Sequence, residues 1–223
     1  MYKYETHLHT KEGSACSSAP AADMARAHKA AGYDGIFVTD HFFNANTAVP
    51  RDLPWEDRVD RYFLGYEHAK EVGDEIGLKV WFGCEFTVYN ADFLIYGMEK
   101  DWMKANEELL MHTDERVLFS KLRNELDCFI VHAHPFRHAS YIHHISLYPY
   151  DVDAVETINA SHDPRKLYAD SYGLIKTGGS DSHHLDKLFG GGIDVPEPIN
   201  CPADYHRLLM EGKVYPRERT LPV

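Results

Sequence analysis

A chain of 223 residues with 44% hydrophobic and 26% charged content can bury one sizeable core and reads as a single globular domain over 1–223. Its formal net charge of −12 argues against nucleic acid or an anionic membrane as main partner, since both need a basic face; an anionic small molecule stays open because bound cations reverse a local field. No apolar run reaches the roughly 18 residues of a membrane span or forms a signal region. The four cysteines (Cys16, Cys84, Cys128, Cys201) show no Cys-x-x-Cys pairing, so a reduced cytoplasm is expected, without a disulfide framework or a thiolate zinc site.

In chain order, Met1 to Leu8 reads as a strand ending in His7-Leu8-His9. A Gly/Ser/Ala loop leads to Pro20, which suits the first turn of a helix closed by Gly32. Gly35-Ile36-Phe37-Val38 is a buried strand that runs into Asp40-His41. A long loop, Phe42 to Pro54, precedes a helix from about Trp55 to Ile76. Leu78 to Val88 is a strand carrying Glu85, Phe93 to Tyr96 a shorter one, and Met103 to Leu126 mostly helix. Cys128 to Ala133 is a strand ending in His134-Pro135, followed by a His- and Tyr-rich loop to Asp151. Val152 to Ile158 and Leu174 to Thr177 are strands flanking a helix over Pro164 to Tyr172, and a last helix covers Ala203 to Glu211. Strands alternating with helices imply parallel βαβ units, and six or seven such units fit a small or incomplete barrel better than an eight-fold one.

The 15 histidines are scattered, and several fall at predicted strand ends. Two histidines two apart on a strand share a face, and in a barrel that face opens at the C-terminal mouth. An isolated His-x-His is better explained by hydrogen-bonded imidazoles at a strand end. Here, however, the strand ends in turn carry His7 and His9, Asp40 and His41, Glu85, His132 and His134, and Asp181 and His183. Imidazole with carboxylate suits zinc, manganese or iron, and five convergent strand ends outweigh the bland reading.

The set His7-Leu8-His9, Thr39-Asp40-His41, Gly83-Cys84-Glu85, Ala133-His134-Pro135 and Gly179-Ser180-Asp181-Ser182-His183 resembles the PHP (polymerase and histidinol phosphatase) family of metal-dependent phosphoesterases. The resemblance runs from residue 4 to about 195. It implies an α/β fold, a distorted seven-stranded (β/α)7 TIM-like barrel, with two to three divalent ions at the C-terminal ends of the strands. By that resemblance His7, His9 and Asp181 hold one ion, Glu85 bridges it to a second held by His134, and His41 and His183 hold a third with an acidic or His residue from the loop after His9. Glu12 is the residue offered there. The second partner of the middle ion has no clean counterpart; Glu99, Asn159 and His162 are the candidates.

Other residues carry two readings each. His132 is equally a core imidazole or a ligand. Asp40 is preferred as a group that orients an imidazole rather than a ligand. Arg137 is placed either to grip a phosphate bidentately or as a solvated loop residue. His138, His143, His144, Arg165 and His184 fall on loops or rims and read more readily as surface residues.

The function expected is hydrolysis of a small phosphomonoester or related phosphoester by a hydroxide bridging two of the ions, histidinol-phosphatase-like, with Glu85, His183 and Arg137 as catalytic residues. Three carboxylates against three dications would leave the mouth positive on an otherwise acidic protein, which favours small phosphoesters over polyanions. The competing readings are a metal-dependent amidohydrolase or deacetylase, and a metal-loaded regulatory module.

Overall fold

A computed structural model of the chain describes residues 1–137, 139–140, 142–161, 171–188 and 190–218. The strands are β1 (Tyr2–Leu8), β2 (Gly35–Val38), β3 (Lys79–Val88), β4 (Ala91–Tyr96), β5 (Phe129–Ala133), β6 (Ala154–Asn159), β7 (Ile175–Gly179), β8 (Ile193–Val195) and β9 (Tyr215–Pro216). The helices are α1 (Ala21–Ala30), α2 (Trp55–Ile76), α3 (Lys100–Ala105), α4 (Glu107–His112), α5 (Glu115–Leu126) and α6 (Pro202–Met210). Among the described residues the strands form one mixed sheet of nine, in the order β7-β6-β5-β4-β3-β2-β1-β8-β9. The sheet curls until β1 meets the chain leaving β7. His9 N donates to Ser182 O at 2.9 Å and Asp181 N to His7 O at 2.8 Å, so the barrel is nearly closed.

This departs from a seven-stranded (β/α) repeat. β1, β2 and β3 run parallel, as do β5, β6 and β7, but β4 is antiparallel to both of its neighbours. The β3–β4 connection is a tight hairpin with Val88 paired to Ala91, too short for a crossover helix. β8 and β9 are strands of three and two residues, below what alternation can reveal in a sequence, and they add an antiparallel ribbon beside β1. The helical stretch expected over 103–126 is broken into three helices. The helix expected over 164–172 lies almost wholly outside the described residues, as do His138, His162 and Arg165. Among the described residues no helix is long and apolar enough to cross a membrane.

Three apolar clusters organise the barrel. Tyr4, Phe37, Leu94, Tyr96, Phe129 and Val131 fill the interior, closed off by Tyr205, Leu208 and Leu209 of α6. Leu8, Ile36, Val38 and Val80 pack outward under α1 and α2, and Phe42, Phe63, Phe93, Phe119 and Ile130 under α2 to α5. α2 is stopped by Gly77, whose φ of 70° is the left-handed conformation that ends helices most cheaply with glycine.

A bulge in β1 sets the face of the first motif. Tyr4 pairs with Gly35, but by Leu8 the partner is Val38, with the register slipping between Glu5 and Leu8. Tyr4 therefore faces inward while Leu8 faces outward, and His7 and His9 turn into the mouth. The buried Glu5 carboxylate holds the bulge, accepting from Thr6 N and His7 N at 3.0 Å and from Ser180 N at 2.9 Å.

Candidate metal centre

The predicted strand-end residues converge. Glu85 lies on the inward face of β3 and is 1% exposed, with an imidazole against each oxygen. Oε1 lies 3.4 Å from His7 Nε2 and 3.2 Å from His134 Nε2; Oε2 lies 3.5 Å from His9 Nε2 and 2.6 Å from His41 Nδ1. Asp181 closes the other side, Oδ1 standing 3.1 Å from His9 Nε2 and 3.5 Å from His7 Nε2. The rings of His9 and His183 stack at 4.2 Å, and that of His41 stands 4.3 Å from His9.

Two of these residues reach the mouth through unusual backbone. His134 has φ 26° and Asp181 φ 55°, both in the left-handed region that side chains other than glycine seldom occupy. On β5, Phe129, Val131 and Ala133 face the interior and His132 faces outward, so simple alternation would turn His134 outward as well. The twist at residue 134 brings it in instead. His134 N donates to Glu156 Oε2 at 3.0 Å, which holds that conformation. Backbone held in sparsely populated regions is a recurrent mark of functional sites.

Around the cluster sits a ring of orienting groups. Glu156 Oε1 is 3.2 Å from His7 Nδ1, leaving Nε2 to face Glu85 and Asp181. Asp40 acts through Ser14: its Oδ1 accepts from Ser14 Oγ at 2.7 Å, and Ser14 Oγ meets His9 Nδ1 at 3.0 Å. The same carboxylate takes Thr10 N at 2.6 Å and Thr10 Oγ1 at 2.7 Å. Burial nevertheless pushes Asp40 up to about 6. His183 Nδ1 donates to Asp181 O at 2.9 Å, which leaves its Nε2 for the cavity.

The electrostatics are those of a site built around positive charge. Burial opposes the ionised form of Glu85, yet His41 and His7 hold it well below the usual carboxylate range. Burial also works against protonated His41, but Glu85 raises it to about 11. His9, by contrast, is driven down to about 3 by burial and by neighbouring His41.

Three residues outside the motifs also belong here. Asp92 lies on the inward face of β4 with Leu94 and Tyr96; with Glu85 and His134 it forms a group whose ligand atoms lie within 4.8 Å of one another. The antiparallel turn of β4 brings its N-terminal end to the mouth, whereas a parallel barrel presents ligands at C-terminal strand ends. Glu156 sits inside a strand among apolar residues, where a pairing rule gives no warning. Cys16, the third, stands beside His41 and His183. Burial raises its thiol, but the imidazoles of His183 and His41 outweigh this and bring it to about 6.

Glu12 is placed elsewhere. Its Oε2 accepts from Ala21 N at 3.0 Å at the start of α1, and Oε1 approaches the exposed His68 at 3.4 Å. Of the candidates for the middle ion, Glu99 is exposed at the start of α3 and Asn159 donates to Glu156 Oε2 at 2.9 Å. His132 is buried against Phe93, with Nδ1 3.3 Å from Tyr172 Oη; burial lowers it to about 3. His143 and His144 are exposed. Arg137 lines a cavity of about 670 Å³ together with His41, Asp181 and His183, its Nη2 lying 3.4 Å from Asp92 Oδ2.

The donor set fits divalent ions. Two Nε2 atoms, of His7 and His9, face each other at 3.2 Å, and at best one of such a pair carries a proton. Glu85 Oε2 and His41 Nδ1 are buried at angles that make no hydrogen bond, despite their 2.6 Å separation. A cation bound between such groups would satisfy both. Groups of donors able to hold an ion are His7/His9/Glu85, Glu85/Asp92/His134 and His9/His41/His183.

A nearly closed α/β barrel with convergent imidazoles and carboxylates at one end defines a class, that of barrel proteins with a multi-ligand metal centre. Within it the chain belongs to the PHP domain family, whose model matches residues 5–211. Among solved structures it is similar to a two-domain protein from Bacteroides vulgatus containing a predicted PHP-like metal-dependent phosphoesterase. There the identity is 15% and the TM-score 0.70, over 98% of this chain and 65% of that one. A predicted metal-dependent phosphoesterase from Bifidobacterium adolescentis matches at 14% identity and TM-score 0.55, over 96% and 97% of the two chains. An amidohydrolase from Chromobacterium violaceum, with sulfate bound and no metal, matches at 14% and 0.53, over 96% and 98%. At such identities the likeness is one of fold. No curated protein matches the chain.

Proposed function

We propose that this protein is a metal-dependent phosphoesterase that hydrolyses a small phosphomonoester or related phosphoester. The observation that carries the reading is Glu85, buried and flanked on both oxygens by imidazoles, one of which, His41, lines an open cavity. A carboxylate so placed is suited to bridging two ions. Bound divalent ions, two to three of zinc, manganese or iron, supply Lewis acidity and an acidified water.

The chain's own residues do the rest. Arg137 offers the phosphate a planar fork of donors, and Asp92 steadies the guanidinium from behind. Asp40 through Ser14, and Glu156 directly, fix the rings of His9 and His7 so that Nε2 of each faces inward. His183 holds Nε2 toward the substrate side because Nδ1 is committed to a carbonyl. The cavity, about 670 Å³, is of the size that takes small ligands, and its rim of Asn46, Thr87, Tyr89 and Asn90 offers polar groups for a hydrophilic substrate. Nucleic acid and membrane surfaces remain unsuited to a chain of charge −12.

The test combines metal analysis with a panel of small phosphoesters and N-acetyl amides, on wild type and Glu85→Gln. Two to three ions per chain, with phosphoester hydrolysis lost in the variant, is the expected result. A metal-loaded protein that cleaves only the amides would replace this reading with the amidohydrolase one. A loaded protein that cleaves neither class would favour a regulatory role.

A further inference from the structure

We propose that Cys16 is a thiolate ligand of the third metal site, completing it with His41 and His183 and making that site softer than the other two. The proposal rests on the metal-centre reading above, but not on the identity of the substrate.

The loop after His9 has two candidates for this position, and its path decides between them. Glu12 is turned outward to the first turn of α1, where Ala21 N occupies its Oε2. Cys16 lies on the same cavity wall as His41 and His183. It is also held there from both sides. Ala15 N donates to Asn46 O at 2.9 Å. Ser17 Oγ donates to His9 O at 3.1 Å and to His183 O at 2.9 Å, and Ser18 N to His183 O at 3.2 Å. These bonds tie the cysteine's neighbours to the backbone of His9, Asn46 and His183 and so fix the path of the loop beside the imidazoles.

A second observation points to a ligand at the same place. Glu85 Oε2, in a side chain 1% exposed, is buried without a hydrogen bond and lies 2.6 Å from His41 Nδ1. His41 Nδ1 is likewise buried without one. With Nδ1 of His183 used by the Asp181 carbonyl, its Nε2 is the ring nitrogen left for this point. Two imidazoles and one thiolate are a donor set that prefers zinc, iron(II) or cobalt(II) to manganese or magnesium. The three sites would therefore load differently: mixed N/O donors around Glu85, and sulfur only in the third.

Reconstitution of the full chain with cobalt(II) reads the ligand directly, because thiolate coordination adds a near-ultraviolet charge-transfer band that N/O sites lack. The expected result is the band in wild type and its loss in Cys16→Ser and Cys16→Ala, with one fewer ion per chain and the other ions retained. Iodoacetamide labelling of wild type, read by mass spectrometry, needs no variant to fold: zinc should protect Cys16 while the exposed Cys201 is labelled with or without metal. Cobalt binding without the band, or labelling of Cys16 unaffected by zinc, would overturn the proposal. So would loss of the third ion in Glu12→Gln with the band unchanged in Cys16→Ala. Absence of phosphoesterase activity in a protein that shows the band and the protection would count against the proposed function alone.

Discussion

Replacing Glu156 by glutamine exchanges one oxygen for an NH2 group at a point where three donors converge. His7 Nδ1 lies 3.2 Å from Oε1, while His134 N and Asn159 Nδ2 reach Oε2 at 3.0 and 2.9 Å. A carboxylate accepts all three; an amide has one accepting atom and must set donor against donor at the other. If the amide nitrogen faces His7, that ring must accept through Nδ1, and its proton moves to Nε2, where an ion would bind. If it faces His134 N, the left-handed turn at residue 134 loses its support. Either way a candidate ligand is misdirected. Removing such supporting partners typically costs about 10–100-fold in metal affinity, or roughly 1.4–2.7 kcal/mol. Competition against a chromogenic chelator measures this, with thermal denaturation of the metal-free protein alongside to register the buried donor left unpaired, worth about 1–3 kcal/mol. A carboxylate of purely structural purpose would show the second effect without the first. Metal affinity equal to wild type would therefore refute the orienting role.

Asp92→Asn should lower metal affinity at the position shared with Glu85 and His134 by about 10–100-fold, with titration calorimetry as the readout. Gly179→Ala should weaken both fold and metal site. A Cβ there would lie 2.4 Å from Glu156 Oε1 and 2.5 Å from the His7 Cβ, an overpacking of about 1–3 kcal/mol visible as a lower Tm and a reduced metal count. His28 reports on acid stability away from the site. It is buried in α1 with Nδ1 2.9 Å from Met24 O, and burial lowers it from 6.5 to about 4. The unfolded chain then takes up the proton first, so stability is lost as pH falls from about 6.5 to about 4, by up to roughly 3 kcal/mol. Urea denaturation of wild type and His28→Leu across that range should show a stability difference that changes by this order; a difference independent of pH would refute the buried neutral imidazole.

Much of the site is legible in the sequence alone because its logic is local. His7 and His9, His41, His134, Asp181 and His183 fall at or just after predicted strands, and Glu85 within one, and in a barrel the C-terminal strand ends ring the mouth. What required tertiary structure is everything set by contacts remote in sequence. The hairpin that reverses β4 carries Asp92 to the mouth from the start of a strand rather than its end. The bulge in β1, held by Glu5 against Ser180, decides which face His7 and His9 take. Left-handed backbone at His134 overrides alternation and is anchored by Glu156 22 residues away. The loop after His9 shows the limit most plainly. Chemistry alone favours Glu12 over a lone cysteine, but α1 offers the glutamate an unpaired N–H, and hydrogen bonds to His9, Asn46 and His183 fix the path that brings Cys16 to the imidazoles. Side-chain type is written in the chain; the direction it points in a loop is the outcome of a competition among partners that only the folded chain assembles.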